Sequence, residues 1–470
     1  MKIEQIYTGC LAQGAYYIES KGEIAIIDPL REVQPYIDKA QKEKGKIKYI
    51  FETHFHADFV SGHITLSEKT GADIVYGPTA KPSFEAIIAK DGQEFILGEV
   101  TIKVLHTPGH TMESATYLLK DRNGKDHAIF TGDTLFLGDV GRPDLAQKAA
   151  DMTQEELAAT LYDSLRTKIM PLADEIIVYP GHGAGSACGK NMMKETVDTL
   201  GNQKKMNYAL RADMTKEEFV KEVTDGLLPP PHYFPLNVKM NKEGYESIDE
   251  VLEKGMRALS PKEFEVAANE TGAIVLDVRD EHEYAKGHIP RSIFIGLDGS
   301  FAPWVGALIA DVQQPILLVV PEERVKEAVT RLSRVGFDNT FGYLKGGFDA
   351  WKREGFEFDT VTSVPASEVK RKMKEEKVKV FDVRKEAEYM SEHVEGAYNT
   401  PLDYLNDHLT EFPNKENFYI HCAGGYRSMI AASILKSRGV HNLVDISDGF
   451  EGLMEAGVPV TDYVCPTTLK

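Results

Sequence analysis

Cysteine is scarce in this chain: 470 residues hold four, Cys10, Cys188, Cys422 and Cys465, too few and too scattered for a disulfide framework. A reducing, cytoplasmic setting is the expectation, because small secreted scaffolds are disulfide-dense. Long apolar runs are missing as well. The longest, such as Pro315-Ile316-Leu317-Leu318-Val319-Val320, fall far short of the roughly 20 residues a membrane-spanning helix needs. The N-terminus opens with Lys2 and Glu4 in a strand-like run and shows no apolar signal segment. Positive charge is in deficit. With 54 Lys and Arg against 73 Asp and Glu, the net charge is -19, which argues against nucleic acid or an anionic membrane as partner. No low-complexity segment stands out, and the length suggests about three domains.

What the chain does have is histidine and aspartate in four short runs. They are Thr53-His54-Phe55-His56-Ala57-Asp58-Phe59, Thr107-Pro108-Gly109-His110, Thr131-Gly132-Asp133-Thr134 and Pro180-Gly181-His182-Gly183. So dense a polar cluster near strand ends is costly to bury unless a metal ion satisfies it. Strand character is read at residues 23–28, 47–51, 100–105 and 175–179. Asn123-Gly124 predicts a hairpin joining 115–119 to 127–130. Ser61 to Thr70, closed by Gly71, reads as a helix behind the first run. His63 and His106 read as helix and strand residues rather than ligands, and Cys10 and Cys465 carry no chemical signal.

The order HxHxD, PGHT, TGDT and PGHG resembles the metallo-β-lactamase superfamily over residues 1–245. That resemblance implies an αββα sandwich with its site at the strand ends. His54, His56 and His110 match the family's first metal position, with Asp133 able to bridge. Asp58, the residue after it, and His182 match the second. Here the chain departs from the two-metal pattern, because Phe59 stands where hydrolases of the family place a histidine. Phenylalanine has no lone pair to donate, so the second position loses a ligand and gains an apolar wall. His54, His110 and Asp133 remain, two imidazoles and a carboxylate, the set used by mononuclear Fe(II) oxygenases with open positions. This selection is similar to the persulfide dioxygenases, whose matching residues hold iron. By that resemblance the cofactor is one non-haem Fe(II), while His56, Asp58 and His182 line the site and orient water or ligands.

Three residues are candidates on the substrate side. Arg142, in Gly141-Arg142-Pro143-Asp144, is placed to pair with a carboxylate of a thiol carrier, and Cys188 to stand beside the metal cleft. Tyr233 lies in Pro229-Pro230-Pro231-His232-Tyr233-Phe234-Pro235, which reads as a rigid extended stretch with aromatic residues over the cleft. Asn241 to Gly255 would then carry the chain out of the unit.

The remainder of the chain repeats itself. Val275-Leu276-Asp277-Val278-Arg279 with Glu281, Glu283-Tyr284 and His288 returns as Val380-Phe381-Asp382-Val383-Arg384 with Glu386, Glu388-Tyr389 and His393. Gly347-Phe348 returns as Gly449-Phe450. A period of about a hundred residues means tandem domains rather than a solenoid. Both copies resemble rhodanese domains, small α/β units with a central parallel sheet, at residues 255–360 and 363–465. In the second, strand 418–421 runs into Cys422-Ala423-Gly424-Gly425-Tyr426-Arg427-Ser428. Glycines after a strand-end cysteine let Ala423, Gly424, Gly425 and Tyr426 turn backbone N–H groups toward the sulfur, and the following helix adds positive potential. The expectation is a stabilised thiolate nucleophile, with Arg427 able to bind an anion such as sulfite or thiosulfate. In the first copy, counting back from Arg324 sets Val319 where Cys422 stands, so this copy is expected to be inactive.

The expected fold class is α/β, an N-terminal αββα sandwich followed by two α/β rhodanese-like domains. The whole chain resembles bacterial persulfide dioxygenase–rhodanese fusions. That resemblance implies oxidation of a low-molecular-weight persulfide by O2 to sulfite and thiol, then transfer of sulfane sulfur through Cys422 to sulfite, giving thiosulfate. The implied partners are persulfides of glutathione, coenzyme A, bacillithiol or cysteine, with O2, sulfite and a second copy of the chain in a homo-oligomer. A zinc thioester hydrolase of the glyoxalase II kind, with sulfur-carrier rhodanese domains, is the alternative.

Overall fold

The computed structural model describes residues 1–465 and divides into two compact units, residues 1–248 with 333–336 and the segments 249–332 and 337 onward. In the first unit, alternating strands build two six-stranded sheets. One runs in the order β1 (Lys2–Thr8), β2 (Gln13–Ser20), β3 (Glu23–Ile27), β4 (Lys46–Glu52), β5 (Asp73–Tyr76) and β6 (Ile87–Ile88). The other contains β7 (Glu94–Leu97), β8 (Val100–His106), β9 (Ala115–Lys120), β10 (Asp126–Gly132), β11 (Ile177–Pro180) and β12 (Asp198–Thr199), in the reverse order.

The period of two decides the layering. Tyr16, Ile18, Ala25, Ile27 and Phe51 of the first sheet meet Ile102, Val104, Tyr117, Leu119 and Phe130 of the second in one core. The opposite faces are apolar too. Ala15, Tyr17, Ile24 and Ile26 pack under helices α1 (Gln34–Lys42) and α2 (His63–Thr70), through Val33, Tyr36, Ala40 and Leu66. Leu105, Leu118 and Ile129 pack under α3 (Gln154–Ser164) and α4 (Lys216–Thr224), through Ala158, Leu161 and Phe219. Both sheets are therefore buried on both faces, which makes four layers, αββα.

Three details differ from the sequence reading. Helix α2 begins at His63 because Ser61 is drawn into buried hydrogen bonds: its N–H donates to Asn241 Oδ1 and its hydroxyl to Glu52 Oε1 and the Pro29 carbonyl. The strand expected from residue 175 begins at Ile177, since Ile176 N–H turns back to the Ala173 carbonyl. The proline-rich run is not extended to its end. Helix α5 (Phe234–Glu243) starts inside it, with Pro235 in the first turn, where a missing N–H costs nothing. Asn241 is consequently a buried helix residue.

The second unit holds two five-stranded parallel sheets. The first has β13 (Ala258–Leu259), β14 (Ile274–Asp277), β15 (Ile293–Phe294), β16 (Ile316–Val319) and β17 (Thr340–Leu344) in the order β13-β17-β16-β14-β15. The second has β18 (Ser363–Val364), β19 (Val380–Asp382), β20 (Tyr398–Asn399), β21 (Phe418–His421) and β22 (Leu443–Ile446) in the order β18-β22-β21-β19-β20. The orders are identical, so the repeated motifs mark a repeated topology.

The motifs also share one structural task. In each copy the arginine of the Asp-Val-Arg run folds back on its own aspartate, Arg279 Nη2 to Asp277 Oδ2 at 2.6 Å and Arg384 Nη2 to Asp382 Oδ2 at 2.7 Å. Each also donates to a carbonyl further on, that of Gly287 or Glu392. Each lies over the phenylalanine of the closing motif, with 4.6 Å from Arg279 to the Phe348 ring and 3.7 Å from Arg384 to Phe450. The histidines stack on the tyrosines, 4.0 Å for Tyr284–His288 and 3.7 Å for Tyr389–His393. These residues are scaffold, and the chemistry lies elsewhere.

Candidate functional site

Strand ends carry the polar cluster of the first unit. The turn after β4 supplies His54, the turn after β8 His110, the turn after β10 Asp133 and the turn after β11 His182, and all four are buried. His54 Nε2 lies 3.9 Å and His110 Nε2 3.6 Å from Asp133 Oδ2, and one ligand atom from each of the three residues fits within 4.8 Å of the others. Metal–ligand bonds of about 2.1 Å need donor separations of roughly 3.0–3.4 Å, so a small closure brings all three donors onto one ion.

The hydrogen bonds around the cluster select the metal-facing atoms. His110 Nδ1 donates to the Arg142 carbonyl at 2.8 Å. His54 Nδ1 meets the Thr53 hydroxyl at 3.0 Å, which itself donates to Asp28 Oδ2. Both rings therefore keep Nε2 free on the side of Asp133. Burial, reinforced by the His56 charge, pushes the His54 imidazole well below its ordinary range, so it stays neutral. Burial would raise the Asp133 carboxyl, but His182, then His54 and His110, hold it far below the ordinary carboxylate range. Asp133 Oδ1 receives His182 Nδ1–H at 2.8 Å, while the buried Oδ2 has no hydrogen-bond partner among the described residues. An orphaned carboxylate oxygen between two free ring nitrogens is the donor set of a metal ion, and the residues fit one.

His56, Asp58 and His182 stand around this centre. His182 sits between two carboxylates, with Nε2 2.8 Å from Asp58 Oδ2. Burial would lower its imidazole, but Asp133 and Asp58 hold it well above the usual range, as an imidazolium. Phe59 is fully buried, with its ring 4.3 Å from that of His56. His56 turns toward Asp28 (3.1 Å) and Glu52 (3.5 Å). Burial would lower it, yet Asp28 and then Glu52 raise it to about 9. Burial and the Asp28 charge push the Glu52 carboxyl well above its ordinary range, so the net charge behind the site stays small.

Asp28, Glu52, Thr53 and Asn241 are positioning residues that the sequence reading missed. Asn241 Nδ2 donates to the carbonyls of His56 and Phe59, both at 2.8 Å, and so clamps the HxHxDF turn from the distant helix α5. The one available signal was acidic residues closing apolar strands, Asp28 and Glu52, where burial demands partners. Gly181 has a reason as well, since a Cβ there would stand 2.6 Å from Asp133 Oδ1.

The substrate-side candidates divide. Cys188 is buried and groups with Asp58 and His182; burial, then the Asp58 and Asp133 charges, pushes its thiol well up, so it remains an S–H. Tyr233 is buried, and its hydroxyl is pushed well up by burial and then by the Asp58 charge. Arg142 is ion-paired within the fold. Its guanidinium is engaged by Asp144 (2.7 Å twice) and by the carbonyls of Ala187 and Leu228, so it has no fork left for a carrier carboxylate. Its part in the site is the backbone carbonyl that orients His110.

In the second unit, Cys422 follows β21 and is buried, with Gly425 N–H pointing at its Sγ from 3.1 Å. Phe450 N–H bonds the Cys422 carbonyl, and the Ser428 hydroxyl ties the loop to Asp445 Oδ1 at 2.7 Å. Helix α6 (Tyr426–Ser437) starts at the loop's end. Arg427 is ion-paired: Glu388 accepts from both of its Nη groups at 2.7 and 2.9 Å. The first copy brings a correction. Sheet register pairs Asp277 with Val319 as it pairs Asp382 with His421, so Val320, not Val319, stands at the cysteine position. Counting from the arginine misled by one residue because this loop is one residue shorter. Valine still supplies no nucleophile.

A family model described as the metallo-beta-lactamase superfamily matches residues 8–182, and one described as the rhodanese-like domain matches residues 260–354 and 365–456. The persulfide dioxygenase ETHE1 of Homo sapiens is 30% identical over 221 residues, 47% of this chain and 78% of that protein. A cytoplasmic hydroxyacylglutathione hydrolase of Arabidopsis thaliana is 32% identical over 187 residues, 39% of this chain and 67% of that protein. The match to the hydroxyacylglutathione hydrolase of Rhizobium etli, 36% identical over 165 residues, spans 57% of that relative's length. Among solved structures, a metallo-beta-lactamase from Staphylococcus aureus aligns with a TM-score of 0.64 and 31% identity, covering 73% of this chain and 98% of that one. The chain belongs to the metallo-β-lactamase superfamily, with two rhodanese-like domains following its metal-binding unit.

Proposed function

We propose that the first unit is a persulfide dioxygenase that works with one Fe(II) at His54, His110 and Asp133, and that Cys422 transfers sulfane sulfur to the sulfite it makes. The observation that carries the reading is Phe59. It fills the place of a second-metal ligand with a buried ring, which leaves Asp58 and His182, 2.8 Å apart, with the Cys188 thiol, held as S–H, as third donor. A second ion would have a protonated thiol in place of the hydrolases' histidine, which disfavours a two-metal hydrolase centre. Two imidazoles and one carboxylate leave room at a single ion for substrate and O2.

The reaction balances as RSSH + O2 + H2O giving RSH and sulfurous acid, the outer sulfur losing four electrons and O2 gaining four. Iron, when bound, would bring persulfide and O2 into neighbouring positions and share the electron transfer. The chain's own residues prepare that meeting. His182, held as an imidazolium, occupies Asp133 Oδ1 and leaves Oδ2 for the metal. Phe59, whose ring faces His56 and His182, and the Cys188 thiol beside Asp58 and His182 give the site weakly polar neighbours suited to a soft sulfur chain. In the second reaction the Cys422 sulfur takes the outer sulfur of a second RSSH, releasing RSH, and the resulting Cys422 persulfide gives that sulfur to sulfite, its S–S bond breaking as thiosulfate leaves. Because Arg427 is neutralised by Glu388, the loop amides, including that of Gly425, carry the anion recognition. Persulfides of glutathione, coenzyme A, bacillithiol and cysteine all fit this chemistry.

The 32% identity to a hydroxyacylglutathione hydrolase favours a second reading, a zinc thioester hydrolase. One experiment separates the two: O2 uptake on adding glutathione persulfide to anaerobically Fe(II)-loaded protein, with sulfite and thiosulfate quantified. Uptake with thiosulfate accumulating is the expected result, and Cys422→Ser keeps the uptake while shifting the product to sulfite. No uptake with any of the carrier persulfides, together with turnover of a thioester by the zinc-loaded protein, would establish the hydrolase instead.

A further inference from the structure

The cysteine-less copy holds the loop of the active one. Tyr426, between Cys422 and Arg427, donates its hydroxyl to the Gly296 carbonyl of the first copy at 2.7 Å. Burial pushes that hydroxyl's pKa up, so it remains a donor. Its ring lies against Phe294, centroids 6.0 Å apart in a T-shaped pair, and over a slot walled by two glycines. A Cβ on Gly299 would stand 2.3 Å from Tyr426 Cζ, and one on Gly296 would stand 3.2 Å from Cε2. Any side chain at 299 displaces the ring.

The slot is itself fixed. Ile295 and Leu297 N–H bond the carbonyls of Asp277 and Val278 at the end of β14. Arg331, one of whose nitrogens also pairs with Glu327, donates to the carbonyls of Leu297 and Gly299. Further along helix α6, the Phe294 N–H donates to the Ser433 hydroxyl at 3.0 Å, so β15 steadies the helix that follows the cysteine loop. A mere spacer has no need of a glycine slot shaped to one aromatic ring.

We propose that residues 296–299 of the cysteine-less copy are a cradle that seats Tyr426 and thereby sets the geometry of the Cys422–Arg427 loop for sulfur transfer. Tyr426 is on this reading a positioning residue, and the inference rests on Cys422 being a sulfurtransferase nucleophile. Its test uses the full chain with thiosulfate as donor and cyanide as acceptor, in Tyr426→Phe, Gly299→Ala, Tyr426→Ala and the Gly299→Ala/Tyr426→Ala pair. Tyr426→Phe and Gly299→Ala should each lower kcat about fivefold, the worth of one neutral hydrogen bond, with KM for thiosulfate within about twofold. The Gly299→Ala loss should vanish in the Tyr426→Ala background, because the slot acts only through that ring. Full additivity of the two losses, or unchanged kcat in Gly299→Ala, overturns the proposal. Should the wild type transfer no sulfur, the sulfurtransferase reading fails, and the cradle is read instead from the rate of iodoacetamide labelling at Cys422. A labelling rate altered by Gly299→Ala, but not in the Tyr426→Ala background, supports the cradle; equal rates overturn it.

Discussion

Asn241→Ala should loosen the HxHxDF turn from a position 180 residues away in sequence from Ser61. The side chain is buried and makes three hydrogen bonds to backbone: Nδ2 to the carbonyls of His56 and Phe59, both 2.8 Å, and Oδ1 from Ser61 N–H, 2.9 Å. Each buried bond has a net worth of about 1 kcal/mol, and alanine leaves three backbone groups without a partner, so the loss is about 3 kcal/mol or more. For a unit of this size that corresponds to a fall in Tm of roughly 6–12 °C. The turn carries His54 at its start, so metal affinity should fall by about 10- to 100-fold, the usual effect of removing a residue that orients ligands. Calorimetry reads the first quantity, metal titration with a competing chelator the second, and amide exchange over residues 53–61 localises the change. Asn241→Asp keeps the Ser61 acceptor but sets a carboxylate against two carbonyls, and should be at least as damaging. A Tm within about a degree of wild type and metal affinity within about twofold would refute the clamp.

Three further outcomes are expected. Phe59→His should raise bound metal from one ion per chain toward two, because Asp58 and His182 then gain an imidazole donor beside the protonated Cys188 thiol; metal counting by mass spectrometry checks it, and two ions already bound by wild type would sink the mononuclear reading. Glu388→Gln should free Arg427 and lower KM for thiosulfate about threefold or more in a steady-state assay, since a carboxylate no longer competes with the anion for the guanidinium. Asp445 gives a pH dependence: burial raises its carboxyl from 3.8 to about 6 against the bonds from Ser363 and Ser428. The unfolded chain releases that proton first as pH rises, so the contribution is full below about pH 4 and is lost as pH climbs through about 6. The shift is worth on the order of 3 kcal/mol. Unfolding midpoints of wild type minus Asp445→Asn, measured across this window, should fall with rising pH; a flat difference would contradict it.

How much was legible without coordinates follows from what each feature depends on. Local pattern was enough for the four metal-facing runs, because ligand type and strand-end position are both written in neighbouring residues. It was enough for the repeat, since Asp277-Val278-Arg279 and Asp382-Val383-Arg384 recur with their histidines and closing phenylalanines. The missing cysteine of the first copy was equally plain, though its place was misread by one residue. Sheet register, a pairing between strands distant in sequence, was needed to seat Val320 there. Availability of charge was likewise invisible. Arg142 and Arg427 look like anion binders in sequence, and only packing reveals that Asp144 and Glu388 have taken them. The clamp of Asn241, the Asp28–Thr53–His54 chain and the seat of Tyr426 on Gly296 join residues far apart in the chain. Sequence by itself determined which chemistry the residues can perform; the tertiary structure decided which donors remain free to perform it, because a buried polar group is committed to whatever partner folding brings within reach.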